Sequence, residues 1–146
     1  MLTPSTHAGF TLLESMAGVA IAAVMASLAY PAFAEQVRRA HRTDAIVRLA
    51  LLQLAQERWR SNHPAYGSLV DLGIAAQTAD GHYLVSLDGA GATGYVAVAE
   101  ALGAQSRDAA CRYLRLEVAG GNTTRRSGPD AAAANRPAAN DRCWNR

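Results

Sequence analysis

Residues 10–34 form a run of 25 with one charged side chain, Glu14, and that run limits what the chain can fold into more than any other feature. At 1.5 Å of rise per residue it makes a helix roughly 37 Å long, enough to cross a lipid bilayer with some tilt. A carboxylate at membrane depth is costly, so Glu14 calls for a function and a cationic partner. Cleavage after Gly9 would supply one, because it leaves a free α-amine on Phe10, one helical turn from Glu14 and on the same face. Within a single molecule the carboxylate then sits in the first turn, where the helix dipole favours negative charge. In an assembly it could meet a neighbour's amine instead.

Two plainer alternatives compete. An ordinary secretory signal has a basic region, an apolar stretch of about 7–15 residues and then a small-residue cleavage site. Ala32-Phe33-Ala34 mimics that site, but the run is longer, carries an acid near its start and passes into a helical pattern without a break. A plain single-span anchor accounts for the length and not for the order Gly9-Phe10-Thr11-Leu12-Leu13-Glu14. That order resembles the class III signal peptide of type IV pilins and their relatives. The resemblance implies removal of residues 1–9 by a prepilin peptidase, N-methylation of Phe10, and a role for Glu14 in subunit assembly. It also implies an inner-membrane single-pass precursor with a periplasmic head, later part of an extracellular pilus, or fimbrium. A positive-inside count alone gives the opposite orientation, since residues 1–9 hold no Lys or Arg while Arg38, Arg39 and Arg42 lie beyond the span.

Pro31 and Gly18 are weak points in the apolar half. Proline in a membrane helix marks either a passive kink or, as in the pilins this chain resembles, a site of curvature and local melting within filaments. Beyond it, over residues 35–62, the pattern is helical and apolar on two sides. At 100° per residue, Val47, Leu51 and Leu54 share one face while Ile46, Leu49 and Leu52 cover another. Such a helix wants two partners, its own sheet and neighbouring subunits. Arg38, Arg39, Arg42, Arg48, Glu57 and Arg58 read as a solvated charged face or as subunit contacts. His63-Pro64 ends the helix, because the residue before proline is pushed out of the helical region.

Residues 63–146 make a head domain. Residues 65–81 read as a connecting loop with room for a short helix. The period then becomes two: Tyr83, Val85 and Leu87 alternate in one strand, residues 95–99 form a second, and Leu114, Leu116 and Val118 alternate in a third. A short loop joining the first two predicts an antiparallel sheet. That loop, 89–94, matches G-x-G-x-x-G, yet a dinucleotide site needs a helix next, and Tyr95-Val96-Ala97-Val98 is strand-like; we read a hairpin. Residues 120–141, rich in Gly, Ala, Asn and Pro, read as a weak structure former. Cys111 and Cys143 are the only cysteines; in an exported domain an even count predicts a disulfide, and no Cys or His stands near them at zinc spacing.

Further segments extend the resemblance. Tyr30-Pro31, Gln36-Val37-Arg38-Arg39, Asp44-Ala45, Glu57-Arg58 and Tyr66 are similar to the helix and its exit in minor pilins of the PilE-like class. Gln105-x-x-Asp108-x-x-Cys111-x-x-Leu114-x-Leu116 and the terminal Cys143-Trp144 are similar to their C-terminal half. The implied fold is α+β: a long N-terminal helix, membrane-spanning in its first half, packed on a small antiparallel sheet. The implied function is a structural, minor subunit of a type IV pilus supporting assembly and pilus-dependent adhesion, twitching motility or DNA uptake. Its partners would be other pilins, the peptidase and the inner-membrane assembly machinery.

No enzyme pattern appears: His41, His63 and His82 stand singly, and there is no nucleophile elbow or phosphate loop. We expect no cofactor, metal or small-molecule substrate. The charge distribution raises a second reading. All 14 basic residues are Arg; residues 63–104 hold four acids and no Arg, whereas residues 105–146 hold eight Arg against four acids. Arg112, Arg115, Arg125, Arg126, Arg136 and Arg142 could contact phosphate, with Tyr113 and Trp144 available to stack, as in a DNA-binding competence pilin. Such arginines are more often merely solubilising. A type II secretion pseudopilin is the third alternative.

Overall fold

The computed structural model describes residues 11–145. Helix α1 spans Leu12–Arg60 and is followed by strands β1 (Tyr83–Asp88), β2 (Gly94–Ala101), β3 (Tyr113–Ala119) and β4 (Asn122–Gly128), then helix α2 (Pro137–Cys143). Two short 3₁₀ turns, Gly103–Arg107 and Ala109–Cys111, link β2 to β3. The chain separates into two compact units, one ending at Gln36 and the other beginning at Val37.

In the first unit the helix starts on a cap. Thr11 accepts the Glu14 main-chain N–H through Oγ1 at 3.3 Å, and its carbonyl accepts the Ser15 N–H at 3.1 Å. Thr11 and Glu14 thus stand at the two positions of a capping box, with the acid in the first turn. Helical geometry continues through Gly18 and Pro31. Leu12, Leu13, Met16, Val19, Ile21, Val24, Met25, Leu28 and Phe33 are all exposed. A contiguous apolar surface of that extent does not persist in water and marks a membrane or subunit contact. By length and composition this helix can cross a membrane. Gly9 and Phe10 lie outside the described residues, so the expected cleavage point does too.

The second unit is organised by the two-faced part of α1. Ala45, Leu49 and Leu52 are fully buried, and Ile46 packs beside them. They lie in one core with Tyr83 and Val85 of β1, Tyr95, Ala97 and Ala99 of β2, and Leu114, Leu116 and Val118 of β3. The opposite side keeps Val47, Leu51 and Leu54 at 50, 54 and 47% exposure, as the sequence periodicity predicts. The sheet order is β1-β2-β3-β4, antiparallel throughout, with Val85 opposite Ala99, and Ala99 opposite Leu114. The 89–94 segment is a hairpin loop, and Gly94 is required there: a Cβ would come 2.1 Å from the Val118 carbonyl oxygen.

Three expectations need correction. Residues 120–128 are not a weak structure former. Gly120 and Gly121, at φ 55° and 83°, make the left-handed pair that a tight hairpin needs, and they return the chain as β4. The strand hides in the sequence because it is an edge strand, mostly solvent-facing, and so carries Thr and Arg where a central strand carries Val. Residues 65–81 contain turns and no helix, pinned instead by Gln56, whose buried amide donates to the Gly67 carbonyl (2.7 Å) and accepts the Gly67 N–H (2.9 Å). Finally, Arg42 is not on a solvated face. It is 4% exposed and paired with the equally buried Asp108, because the core-facing stripe of α1 passes over the 3₁₀ turns at that point.

Candidate functional site

A polar lock fixes the C-terminal half to α1. The Arg42 guanidinium donates from Nε and Nη2 to the two oxygens of Asp108, the latter at 2.9 Å, and from Nη1 to the Arg142 carbonyl at 3.3 Å. Gln105, buried beside it, donates from Nε2 to the Tyr83 hydroxyl (3.0 Å) and the Arg38 carbonyl (3.2 Å), and its Oε1 stands 3.1 Å from His41 Nδ1. Burial pushes the Tyr83 phenol up to about 12, with the Gln105 hydrogen bond opposing that shift. Gln105, Asp108 and Cys111, spaced by three, therefore act together: the first two hold the helix and the third starts the disulfide.

Cys111 and Cys143 are bonded, with Cα atoms 5.3 Å apart. The bridge ties the second 3₁₀ turn to α2, and α2 in turn packs along β4. Asn140 Nδ2 donates to the Arg125 carbonyl (3.0 Å), Trp144 Nε1 to the Arg126 carbonyl (3.1 Å), and Ser127 Oγ to Asn140 Oδ1 (2.8 Å). Trp144 is buried, and the Arg125 guanidinium lies 5.7 Å over its ring. The buried ring of this corner is thus the one the sequence offered as a stacking surface. It is already occupied.

The six arginines singled out from sequence divide into two groups. Arg112 lies 3.6 Å from Glu100 and Arg115 3.3 Å from Glu117, so acids on the outer face of the sheet balance both. Tyr113 joins them, donating to Glu100 at 2.6 Å, a bond that raises its pKa above the usual phenol value. Arg125, Arg126, Arg136 and Arg142 are exposed, and among the described residues no carboxylate forms a salt bridge with any of them. Arg125 and Arg126 lie on β4, Arg142 on α2 and Arg136 immediately before α2, the two elements packing together at the disulfide corner. Arg126 faces Arg115 across the β3–β4 ladder, a like-charge pair that an anion would relieve. Arg125, opposite Leu116, is on the helix side of the sheet. Over residues 122–145 four arginines stand against two aspartates, Asp130 and Asp141. Sequence reasoning found these residues but could not separate paired from unpaired charge.

Comparison with known families bears on both halves. The family described as type IV minor pilin ComP, DNA uptake sequence receptor, matches residues 31–115, from Pro31 through β3 as far as Arg115. The prokaryotic N-terminal methylation motif matches residues 4–30. No curated protein matches the chain.

Proposed function

The chain belongs to the ComP family of type IV minor pilins, and from that premise we propose that it is the subunit through which a pilus holds DNA during uptake. It is a membrane-anchored pilin precursor with an N-terminal methylation motif. In this reading a prepilin peptidase cuts between Gly9 and Phe10, Phe10 is N-methylated, and Glu14 pairs with a neighbouring subunit's amine as residues 10–34 leave the inner membrane for the filament. The exposed Val47, Leu51 and Leu54 face then lies against adjacent pilins, leaving the periplasmic and later extracellular head to meet DNA. The role is structural and recognitional, with no catalytic step.

The observation that carries the proposal is the match to a family whose description names a DNA uptake sequence receptor. Local charge supports a site for it. Arg126, Arg136 and Arg142 offer guanidinium groups not committed to acids, on a corner held rigid by the disulfide and the Arg42–Asp108 lock, while that of Arg125 lies over the Trp144 ring. Arg112 and Arg115 are less suited, since binding phosphate would first require breaking their contacts with Glu100 and Glu117.

Full-length mature protein in detergent, titrated into fluorescent double-stranded DNA at several salt concentrations, tests this. The logarithm of the affinity should fall linearly with log salt, and Arg126→Ala should lower the slope by about 1, for one lost phosphate contact. Arg112→Ala should change it less. Absence of binding at low salt would remove the DNA-holding reading and leave the pilin assignment standing.

A further inference from the structure

Asp44, Asp80 and His82 are far apart in sequence and meet where α1 passes the start of β1. Their candidate ligand atoms, one from each side chain, all lie within 4.8 Å of one another. Among the described residues two atoms of the trio are buried with nothing to bond: Asp44 Oδ2 and His82 Nδ1. A buried acceptor without a donor is costly and, in a folded protein, asks for an explanation. Arg48, one turn beyond Asp44 and a natural partner for it, instead gives its guanidinium to the Gln77 carbonyl at 3.3 Å. Asp44 Oδ2 thus keeps a lone pair that no group among the described residues meets.

The surroundings hold the group in place. His82 stacks on His41 with ring centroids 3.7 Å apart and planes 16° from parallel, and His41 Nδ1 is in turn 3.1 Å from Gln105 Oε1. Gly81, between Asp80 and His82, has φ 72° and closes a turn through its N–H to the Thr78 carbonyl at 3.0 Å. That turn places an exposed carboxylate beside a ring that is partly buried.

We propose that Asp44, Asp80 and His82 bind one divalent first-row transition ion of the Zn2+ type, clipping α1 to the entry of β1. Two carboxylate oxygens and one imidazole nitrogen suit such an ion, with water as the fourth ligand, whereas Ca2+ prefers six to eight oxygens. Ligands at about 2.1 Å around a tetrahedral ion stand roughly 3.4 Å from each other, so atoms up to 4.8 Å apart must close by as much as about 1.4 Å. Asp80, exposed on its turn, can supply that movement. The disulfide keeps Cys111 and Cys143 out of the competition. The site is independent of DNA binding. It also escaped the sequence, where spacings of 36 and 2 residues match no metal motif.

The test is a Co2+ titration of the full-length mature protein in detergent, read by the intensified visible absorption of tetrahedral Co2+, followed by displacement with Zn2+. One saturable site per chain is expected, with affinity about tenfold or more weaker in Asp80→Asn and in His82→Gln and unchanged in His63→Gln. Asp80 is exposed, so its variant decides the matter should His82→Gln not fold. No saturable binding in the wild type, or binding that Asp80→Asn leaves intact, overturns the proposal.

Discussion

Replacing Asp108 by Asn should cost far more than its conservative shape suggests. Asp108 and Arg42 each retain 5% side-chain exposure, and Asp108 accepts both Arg42 donors together with Gln105 Nε2 at 3.3 Å. Asn has one acceptor oxygen, so its amide must face a donor on Arg42 or on Gln105, while the guanidinium stays buried without its counter-ion. Removing one partner of such a pair destabilises by about 3–5 kcal/mol, whereas replacing both with apolar groups is often neutral. The expected pattern is a loss of that size in Asp108→Asn and in Arg42→Met, and a smaller loss in Arg42→Met combined with Asp108→Leu. Urea unfolding of the mature chain in detergent, followed by Trp59 and Trp144 fluorescence, measures all three. A loss below about 1 kcal/mol in Asp108→Asn, or a double variant that loses the sum of the singles, would refute the lock.

Stability should also fall at high pH through Tyr83. Its phenol ionises near 10.0 when free and at about 12 in the fold, so its contribution is complete below pH 10 and disappears as pH rises through 12. That contribution is about 2–3 kcal/mol, and Tyr83→Phe should flatten this part of the urea-midpoint profile. At the other end of the chain, Glu14→Ala should still be processed after Gly9 yet be missing from pili sheared off the cells, as seen by blotting. The Thr11 cap uses the Glu14 main-chain N–H, which alanine keeps, so the helix start survives. Normal incorporation would remove the assembly role of the carboxylate.

The helix was legible because its apolar residues recur at helical spacing on two faces. The periodicity separated Ile46, Leu49 and Leu52 from Val47, Leu51 and Leu54, and the structure turns the first three inward and the others outward. The three apolar strands were legible for the same reason: one face of each is buried, and alternation records it. β4 left no such record. Its core-side positions, Thr123, Arg125 and Ser127, meet Gln53, the Trp144 ring and Asn140, so polar residues satisfy them and the alternation vanishes. The Gly120-Gly121 turn was the available signal, and it became readable only as the second half of a hairpin.

Charge was the least legible quantity, and the proposed DNA contact turns on it. A run of sequence reports how many arginines it holds, not which ones have spent their charge. Arg42 looks like its neighbours Arg38 and Arg39 along the chain, yet it is buried on Asp108, 66 residues away. Arg112 and Arg115 look as able to hold phosphate as Arg125 and Arg126, yet Glu100 and Glu117 sit against them. Pairing removes Arg42, Arg112 and Arg115 from the count and the Trp144 ring holds Arg125, which leaves Arg126, Arg136 and Arg142 at the disulfide-stapled corner. If phosphate contact depends on uncommitted guanidinium groups, Arg126→Ala must cost more DNA affinity than Arg112→Ala, although the two residues add the same charge to the sequence.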